Sequence, residues 1–341
     1  MLSAVRKTDK WRFGLAKAFA IFEFGDPESY RLVDLPVRQL KPNEVRIEIK
    51  AAGVSFIDML VAKGGYQRKP KLPYFPGHEF SGVVAEIGSD VSNLQPGDRI
   101  LASANGGAYA EEAIIPALSA LKIPGQMSFE AAATFLVSYT TGYYALVQRG
   151  DIKPEETILV LGASGAVGIA AIQLGKIFGA QVIAATSSPK KADFLIRCGA
   201  DHVVDIKAEG FRDSVKQMTD GRGVDIVYDP VGGDYTERAF RSLAWKGRHL
   251  VIGYAEGSIP KLPVNLSLLK GAALVGVDAR QFGEYEREQA AENIAALIKL
   301  VVEGKIDPPI AKTFGLDGCK EAFDFFESGT QLARVVLTIS Q

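Results

Sequence analysis

The hydrophobic positions of this chain follow two regimes. From Lys17 to Ile115 they mostly alternate with polar residues, the period of two expected of half-buried strands. Lys17 to Phe24, with Ala18, Ala20 and Phe22 set against Phe19 and Ile21, predicts a strand closed by Gly25-Asp26-Pro27. Tyr30 to Leu35 predicts a second strand. Glu44 to Ala51, where Val45, Ile47 and Ile49 alternate with charges, predicts a third. Phe56 to Ala62 reads as a short helix, and Lys63 to Pro76 as a loop that contains Tyr66. Gly77 to Val84 and Gly97 to Ile100 continue a β body with few helices, and Phe129 to Gln148 is mostly helical.

Past Asp151 the pattern changes. Thr157 to Leu161 is an apolar run, Gly162 to Gly168 a turn of small residues, and Ile169 to Phe178 a helix with Ile169, Ile172, Gln173, Lys176 and Ile177 at helical spacing. A second apolar run follows at Val182 to Ala185. Strand, turn, helix and strand in that order make a βαβ unit. Its turn reads Ala163-x-Gly165-x-x-Gly168, with Ala163 where the dinucleotide fingerprint has its first glycine. Small residues let the backbone approach a pyrophosphate, whose charge then rests at the helix N-terminus. Gly162, Ala163, Gly165, Ala166, Val167 and Gly168 are therefore candidate cofactor contacts. The alternation persists through helices at Phe211 to Thr219 and Tyr235 to Leu243 and strands at Val224 to Asp229, His249 to Ile252 and Ala273 to Val277. That order predicts an α/β domain with a doubly wound parallel sheet and ligand at the carboxyl ends of its strands. Gln289 to Val302 reads as a long amphipathic helix, Cys319 to Phe326 as a short one, and Ala333 to Ile339 as a closing strand.

Composition narrows the classes. A chain of 341 residues exceeds what one hydrophobic core usually organises, so two domains are expected. A net charge of −1 leaves no electrostatic footprint for nucleic acid or an anionic membrane. No run approaches the ~20 apolar residues of a membrane span. Two cysteines, Cys198 and Cys319, cannot build a disulfide framework or a Cys-rich zinc site. They are expected to be buried small hydrophobes in a reducing, cytoplasmic setting. Met1 to Ala16 carries Arg6, Lys7, Lys10 and Arg12 against Asp9 but no apolar core, and is read as an N-terminal extension rather than a secretory signal.

The cofactor's identity turns on the residues just past the second strand of the βαβ unit. Roughly twenty residues past the glycine turn, a protein selecting NAD presents an acid to the ribose 2′-hydroxyl. Here the strand runs into Thr186-Ser187-Ser188 and then Pro189-Lys190-Lys191. No acid is there to repel a 2′-phosphate, and hydroxyls and ammonium groups are there to bind one. The expected cofactor is NADPH.

With these residues assembled, the chain resembles the medium-chain dehydrogenase/reductase superfamily, and within it the zinc-independent quinone oxidoreductases related to zeta-crystallin. The resemblance rests on Ala51-Ala52-Gly53-Val54-Ser55-Phe56-Ile57-Asp58, Pro76-Gly77-His78-Glu79-Phe80-Ser81-Gly82, Gly97-Asp98-Arg99, the glycine turn, and Tyr228-Asp229-Pro230-Val231-Gly232-Gly233. It implies a GroES-like, β-rich substrate domain from residues 17–137 and 281–341, a Rossmann domain from 138–280 inserted into it, and a site between them. It also implies a homodimer joined through the Rossmann sheet edge near Leu274 to Val277. Zinc-dependent relatives hold their metal with Cys, His and Cys, helped by a Glu; those slots match Ser55, His78 and Val137, with Glu79 beside the His. One imidazole and one carboxylate do not make a zinc site, so no metal is expected and His78 is read as structural.

The resemblance further implies hydride transfer from NADPH to a quinone or to the β-carbon of another α,β-unsaturated carbonyl. Such an acceptor spreads the incoming charge without a Lewis acid. Ser55, Asp58 and Tyr66 match positions near the nicotinamide and the substrate, with Ser55 and Tyr66 as candidate donors to the acceptor oxygen; a helix-bracing role for Asp58 is the alternative. Thr141, Ser187, Lys191, Gly253, Tyr254, Asp278 and Arg334 lie where relatives touch the cofactor. An enoyl-CoA or 2-haloacrylate-type reductase on the same scaffold, or a non-enzymatic crystallin-like NADPH-binding protein, remains open.

Overall fold

The computed structural model describes residues 15–65 and 69–339. Their contacts divide the chain into two compact units. One takes the chain up to Gly125, then Thr313–Gly329 and the stretch from Val335; the other takes Gln126–Lys312 and Thr330–Arg334.

The first unit begins with an antiparallel hairpin of β1 (Leu15–Ile21) and β2 (Tyr30–Pro36). β1 stops before the Phe24 expected from the pattern. The Glu23 amide donates to Ser29 Oγ (2.9 Å), which turns the chain back early. β3 (Glu44–Val54) is the longest strand, and α1 (Phe56–Ala62) follows it directly. β4 (Glu79–Ile87), β5 (Arg99–Ser103), β6 (Glu112–Pro116) and β7 (Ala120–Lys122) complete this part.

The second unit opens with helices. The single helix expected over Phe129 to Gln148 is split into α2 (Phe129–Ala132) and α3 (Leu136–Tyr143). At the break, Thr134 sends its hydroxyl back to the Ala131 carbonyl (3.1 Å), a local bond that competes with the helical ladder. α3 runs on into wider i→i+5 turns over Tyr144–Arg149. Then come β8 (Thr157–Val160), α4 (Ala166–Ile177), β9 (Gln181–Thr186), α5 (Ala192–Arg197), β10 (His202–Asp205), α6 (Phe211–Gln217), β11 (Val224–Asp229), α7 (Tyr235–Phe240), β12 (Leu243–Val251), α8 (Asn265–Lys270) and β13 (Ala273–Gly276).

The six strands form one parallel sheet in the order β10-β9-β8-β11-β12-β13. This is the doubly wound Rossmann order, and its direction of winding reverses between β8 and β11. The apolar runs of β8 and β9 are buried because helices cover both faces of a parallel sheet. Against α4, Gly142 lets α3 come close: a Cβ there would sit 2.9 Å from Leu174 Cδ1. β12 starts six residues before the expected His249, passing Lys246 in the left-handed region (φ 62°).

α9 (Ala279–Tyr285) and α10 (Arg287–Val302) stay with this second unit, so the boundary at 281 expected from the resemblance falls inside it. Two contacts account for this. Tyr144 stacks on Phe282 with ring centroids 4.0 Å apart, and Gln148 exchanges hydrogen bonds with Asn293 (2.7 and 3.2 Å). β14 (Ile310–Gly315), α11 (Cys319–Glu327) and β15 (Arg334–Thr338) close the chain. They complete a seven-stranded sheet, six of its strands in the order β14-β15-β3-β4-β5-β7 and the seventh, β6, pairing β3. Phe323 of α11 sits in the core of the first unit, edge-on to Phe19, Tyr30 and Tyr109 at 6.0–6.3 Å. Among the described residues, no helix is long and apolar enough to cross a membrane.

Candidate active site

Most of the residues expected to hold a cofactor lie just past the carboxyl ends of parallel strands. Gly162 to Gly168 follow β8, Ser187 and Lys191 follow β9, Gly253 and Tyr254 follow β12, and Asp278 follows β13. Parallel strands bring these ends to one side of the sheet, although the residues are spread over more than a hundred positions.

The glycine turn is tightly built. Ala163 donates its amide to the Ala185 carbonyl (3.2 Å), and Gly165 donates to Gly162 O (2.9 Å). Gly165 is the residue before α4, and no side chain caps that helix. The first amides of α4, from Ala166, Val167 and Gly168, are thus left for an anion, which the helix dipole also favours. A Cβ on Gly168 would lie 2.5 Å from Gly162 O and 2.8 Å from Ala163 Cα, so only glycine lets the helix start this close to the turn.

Lys191 ends a short helical turn, Pro189–Lys191, and extends toward Ser164, its Nζ 3.4 Å from Ser164 Oγ. Partial burial lowers its pKa. Burying an ammonium against the glycine turn is unfavourable by itself, and an anion held there reverses that. Ser187 is exposed at the end of β9. Backbone, helix terminus and cation together form a cradle whose donors fit the phosphates of a dinucleotide.

The remaining positions differ. Thr141 is half-buried on α3, one turn from Ser138, whose Oγ accepts from buried Arg334 (3.3 Å). Arg334, at the start of β15, thus reaches α3 through Ser138. Asp278 caps α9 and spends both carboxylate oxygens on Gln281, accepting from its amide (2.9 Å) and its Nε2 (2.8 Å).

In the first unit, Ser55 caps α1 in a reciprocal capping box with Asp58. The Asp58 amide donates to Ser55 Oγ (3.2 Å), while the Ser55 amide (3.0 Å) and hydroxyl (2.6 Å) both donate to Asp58 Oδ2. Asp58 Oδ1 accepts from the Gly77 amide (3.0 Å) and pairs with His78 Nδ1 (2.6 Å). The fully buried Asp58 carboxylate thus ties β3, α1 and the loop before β4 together. Burial, with Asp58 nearby, pushes the Tyr109 hydroxyl and the Cys319 thiol well above their ordinary ranges, so neither ionises near neutrality. Tyr66 lies outside the described residues.

The donor set does not fit zinc. A hydroxyl and an isopropyl group stand at Ser55 and Val137, and both Ser55 Oγ and His78 Nδ1 are engaged by Asp58. Two further features escape sequence reasoning: the Asp58–His78 pair, and a buried cluster around Asp229 that includes Thr236 and His249. The Asp229-Pro230-Val231-Gly232-Gly233 run is the only sign of the latter.

Residues 41–125 match the alcohol dehydrogenase GroES-like domain, and residues 166–296 match the zinc-binding dehydrogenase domain. The chain belongs to the medium-chain dehydrogenase/reductase family of oxidoreductases. Its relatives there include quinone oxidoreductase-like protein 2 of Mus musculus, 37% identical over 306 residues that cover 89% of this chain and 87% of that one. A solved probable oxidoreductase from Mycobacterium abscessus is 36% identical, with a TM-score of 0.86 over 95% of this chain and 100% of that one. The Escherichia coli quinone oxidoreductase, solved in complex with NADPH, is 29% identical, with a TM-score of 0.86 over 94% of this chain and 99% of that one.

Proposed function

We propose that the protein is an NADPH-dependent oxidoreductase that passes hydride to a quinone or another α,β-unsaturated carbonyl without a metal, and that it works as a cytoplasmic homodimer. The observation that carries the cofactor choice is β9, which ends with no acid and is followed by a half-buried Lys191 over the glycine turn. When bound, NADPH supplies the hydride. The amides at the start of α4 take the pyrophosphate, Ser187 and Lys191 the 2′-phosphate, and Gly253 and Tyr254 the half beyond the switch point. Thr141, Asp278 and Arg334 complete the cofactor set.

The acceptor follows from what the chain lacks among its donors. With Ser55 and Val137 at the slots where zinc-dependent relatives have thiolates, no strong electrophile is supplied for an isolated carbonyl. A conjugated acceptor delocalises the incoming charge itself, and the protein's task is to orient it. Tyr66 donates a hydrogen bond to the acceptor oxygen. Ser55, expected as a second donor, has its hydroxyl proton held by Asp58 and instead fixes the start of α1. The dimer reading is supported by β13, the outer strand of the parallel sheet, and by Trp245, Val264, Leu268 and Leu269, which are large, apolar and exposed. The reducing compartment accords with two free cysteines, Cys198 and Cys319, whose thiols burial pushes up.

Purified protein is mixed with NADPH and a panel of quinones, enones and enoyl-CoA esters, with and without chelator, and NADPH oxidation is followed optically. Quinones and enones should turn over equally well in chelator. Tyr66→Phe should lower turnover more than NADPH affinity; unchanged turnover removes Tyr66 from the mechanism. Tight NADPH binding with no oxidation by any acceptor overturns the enzymatic reading.

A further inference from the structure

The last residue of β11 gathers more hydrogen bonds than its place in a strand requires. Asp229 is 2% exposed. Its Oδ1 accepts from the amides of Val231 (2.9 Å) and Gly232 (2.8 Å), in the loop that follows β11. Its Oδ2 accepts from Thr236 Oγ1 (2.7 Å) at the start of α7 and pairs with His249 Nε2 (3.0 Å) on β12. Its backbone oxygen accepts from the amides of Ile252 (2.9 Å) and Gly253 (3.3 Å), in the loop that follows β12. One residue thus holds both loops at the carboxyl ends of β11 and β12.

Only an ionised carboxylate meets this set of donors, since it has lone pairs in several directions and no proton of its own. Burial works against that charge. The hydrogen bond from His249, with those from Gly232 and Thr236, outweighs it and holds the carboxyl below its usual range. His249 is itself fully buried, and its Nδ1 has no hydrogen-bond partner. The ring therefore donates from Nε2 and keeps Nδ1 unprotonated when neutral.

The two pinned loops also touch each other and the glycine turn. Ala255 donates to Pro230 O (3.1 Å) and Glu256 to Val231 O (2.9 Å). A Cβ on Gly162 would lie 2.9 Å from Val231 Cγ2, and one on Gly232 would lie 2.9 Å from Tyr254 Cδ1. The loops are packed so closely between the turn and Tyr254 that a shift in one moves the other. The sheet order separates the two halves of a dinucleotide: the side with β9 carries Lys191, and the side with β11 and β12 carries the pinned loops.

We propose that Asp229 is a positioning residue for the nicotinamide half of the cofactor, acting through the loops after β11 and β12, with Thr236 and His249 holding it in place. The proposal rests on the NADPH reading above and deepens it. A purely structural aspartate would affect binding of both cofactor halves alike, or of neither.

The test compares the affinity of full-length protein for NADPH and for 2′-phospho-ADP-ribose, which lacks the nicotinamide. Asp229→Asn places an amide NH2 against at least one donor. It should weaken NADPH at least tenfold while changing 2′-phospho-ADP-ribose by less than twofold. If Asp229→Asn does not fold, Thr236→Val removes one donor at nearly constant volume. It should weaken NADPH about threefold with the same selectivity, and Thr236→Ser should restore it. Equal loss for both ligands, or no loss for either in a folded variant, overturns the proposal. A wild-type protein that binds neither ligand instead overturns the NADPH reading on which it rests.

Discussion

Replacing Lys191 by methionine keeps the stem and removes the charge, which makes it the sharpest probe of the cofactor. Lys191 Nζ sits 3.4 Å from Ser164 Oγ beside the glycine turn, with burial lowering its pKa. A unit charge pair at 4 Å is worth about 4 kcal/mol at an effective dielectric of about 20, before salt and side-chain entropy are counted. Net hydrogen bonds to charged groups measure about 1.5–3 kcal/mol. At about 1.4 kcal/mol per factor of ten, Lys191→Met should weaken NADPH by roughly 10- to 150-fold. NADH, which has no 2′-phosphate, should change by no more than about twofold, because a neutral hydroxyl gains little from an ammonium. Titration calorimetry with both nucleotides, on wild type and variant, reads this directly. Raising the salt should shrink the wild-type preference for NADPH, since part of it is screenable charge. Equal weakening of NADPH and NADH would mean that Lys191 only shapes its turn. A wild type with no preference between them would refute the reading of the β9 end altogether.

Two further predictions concern stability and assembly. The Arg38 guanidinium bonds both oxygens of Glu44 (2.6 and 3.0 Å), and the Lys41 amide adds a third bond (3.0 Å); the Arg38 bond is the main cause that holds the Glu44 carboxyl down at about 2 from its usual 4.5. A lowered folded-state pKa gives stability that is complete above the unfolded value and is lost as pH falls through the folded one. The melting-temperature advantage of wild type over Glu44→Gln should therefore be constant above about pH 5 and shrink from there toward pH 2; an advantage that grows on acidification would contradict the pairing. Leu274, 51% exposed on outer strand β13, should be central to the proposed dimer. Leu274→Lys should convert it to monomer in sedimentation runs, because a desolvated ammonium in an interface has no partner there; an unchanged dimer would place the interface elsewhere.

The parts of the site that are legible in sequence are those built from neighbours. The βαβ unit announces itself because strand, turn and helix patterns have periods of two to four residues, and Gly168 leaves its mark in the turn it makes possible. The Ser55–Asp58 pairing is equally local: three residues separate a cap from its partner. The break at Thr134 is local too, yet the helical pattern runs straight through it. A hydroxyl that bonds its own preceding turn looks in sequence like any other helical threonine.

What the sequence alone determined about this protein is the alternation of strands and helices in its second unit, the glycine turn at the start of α4 and the missing acid after β9. Each of these is a property of adjacent residues. Tertiary structure alone decided which carboxylates became hubs. Asp58 meets Gly77 and His78, and Asp229 meets His249, across about twenty positions of chain. Tertiary structure also assigned α10 to the second unit, through contacts such as the Gln148–Asn293 pair that span most of it. Such pairings depend on how strands and helices settle against one another, and a buried charge is stable only where those distant donors converge.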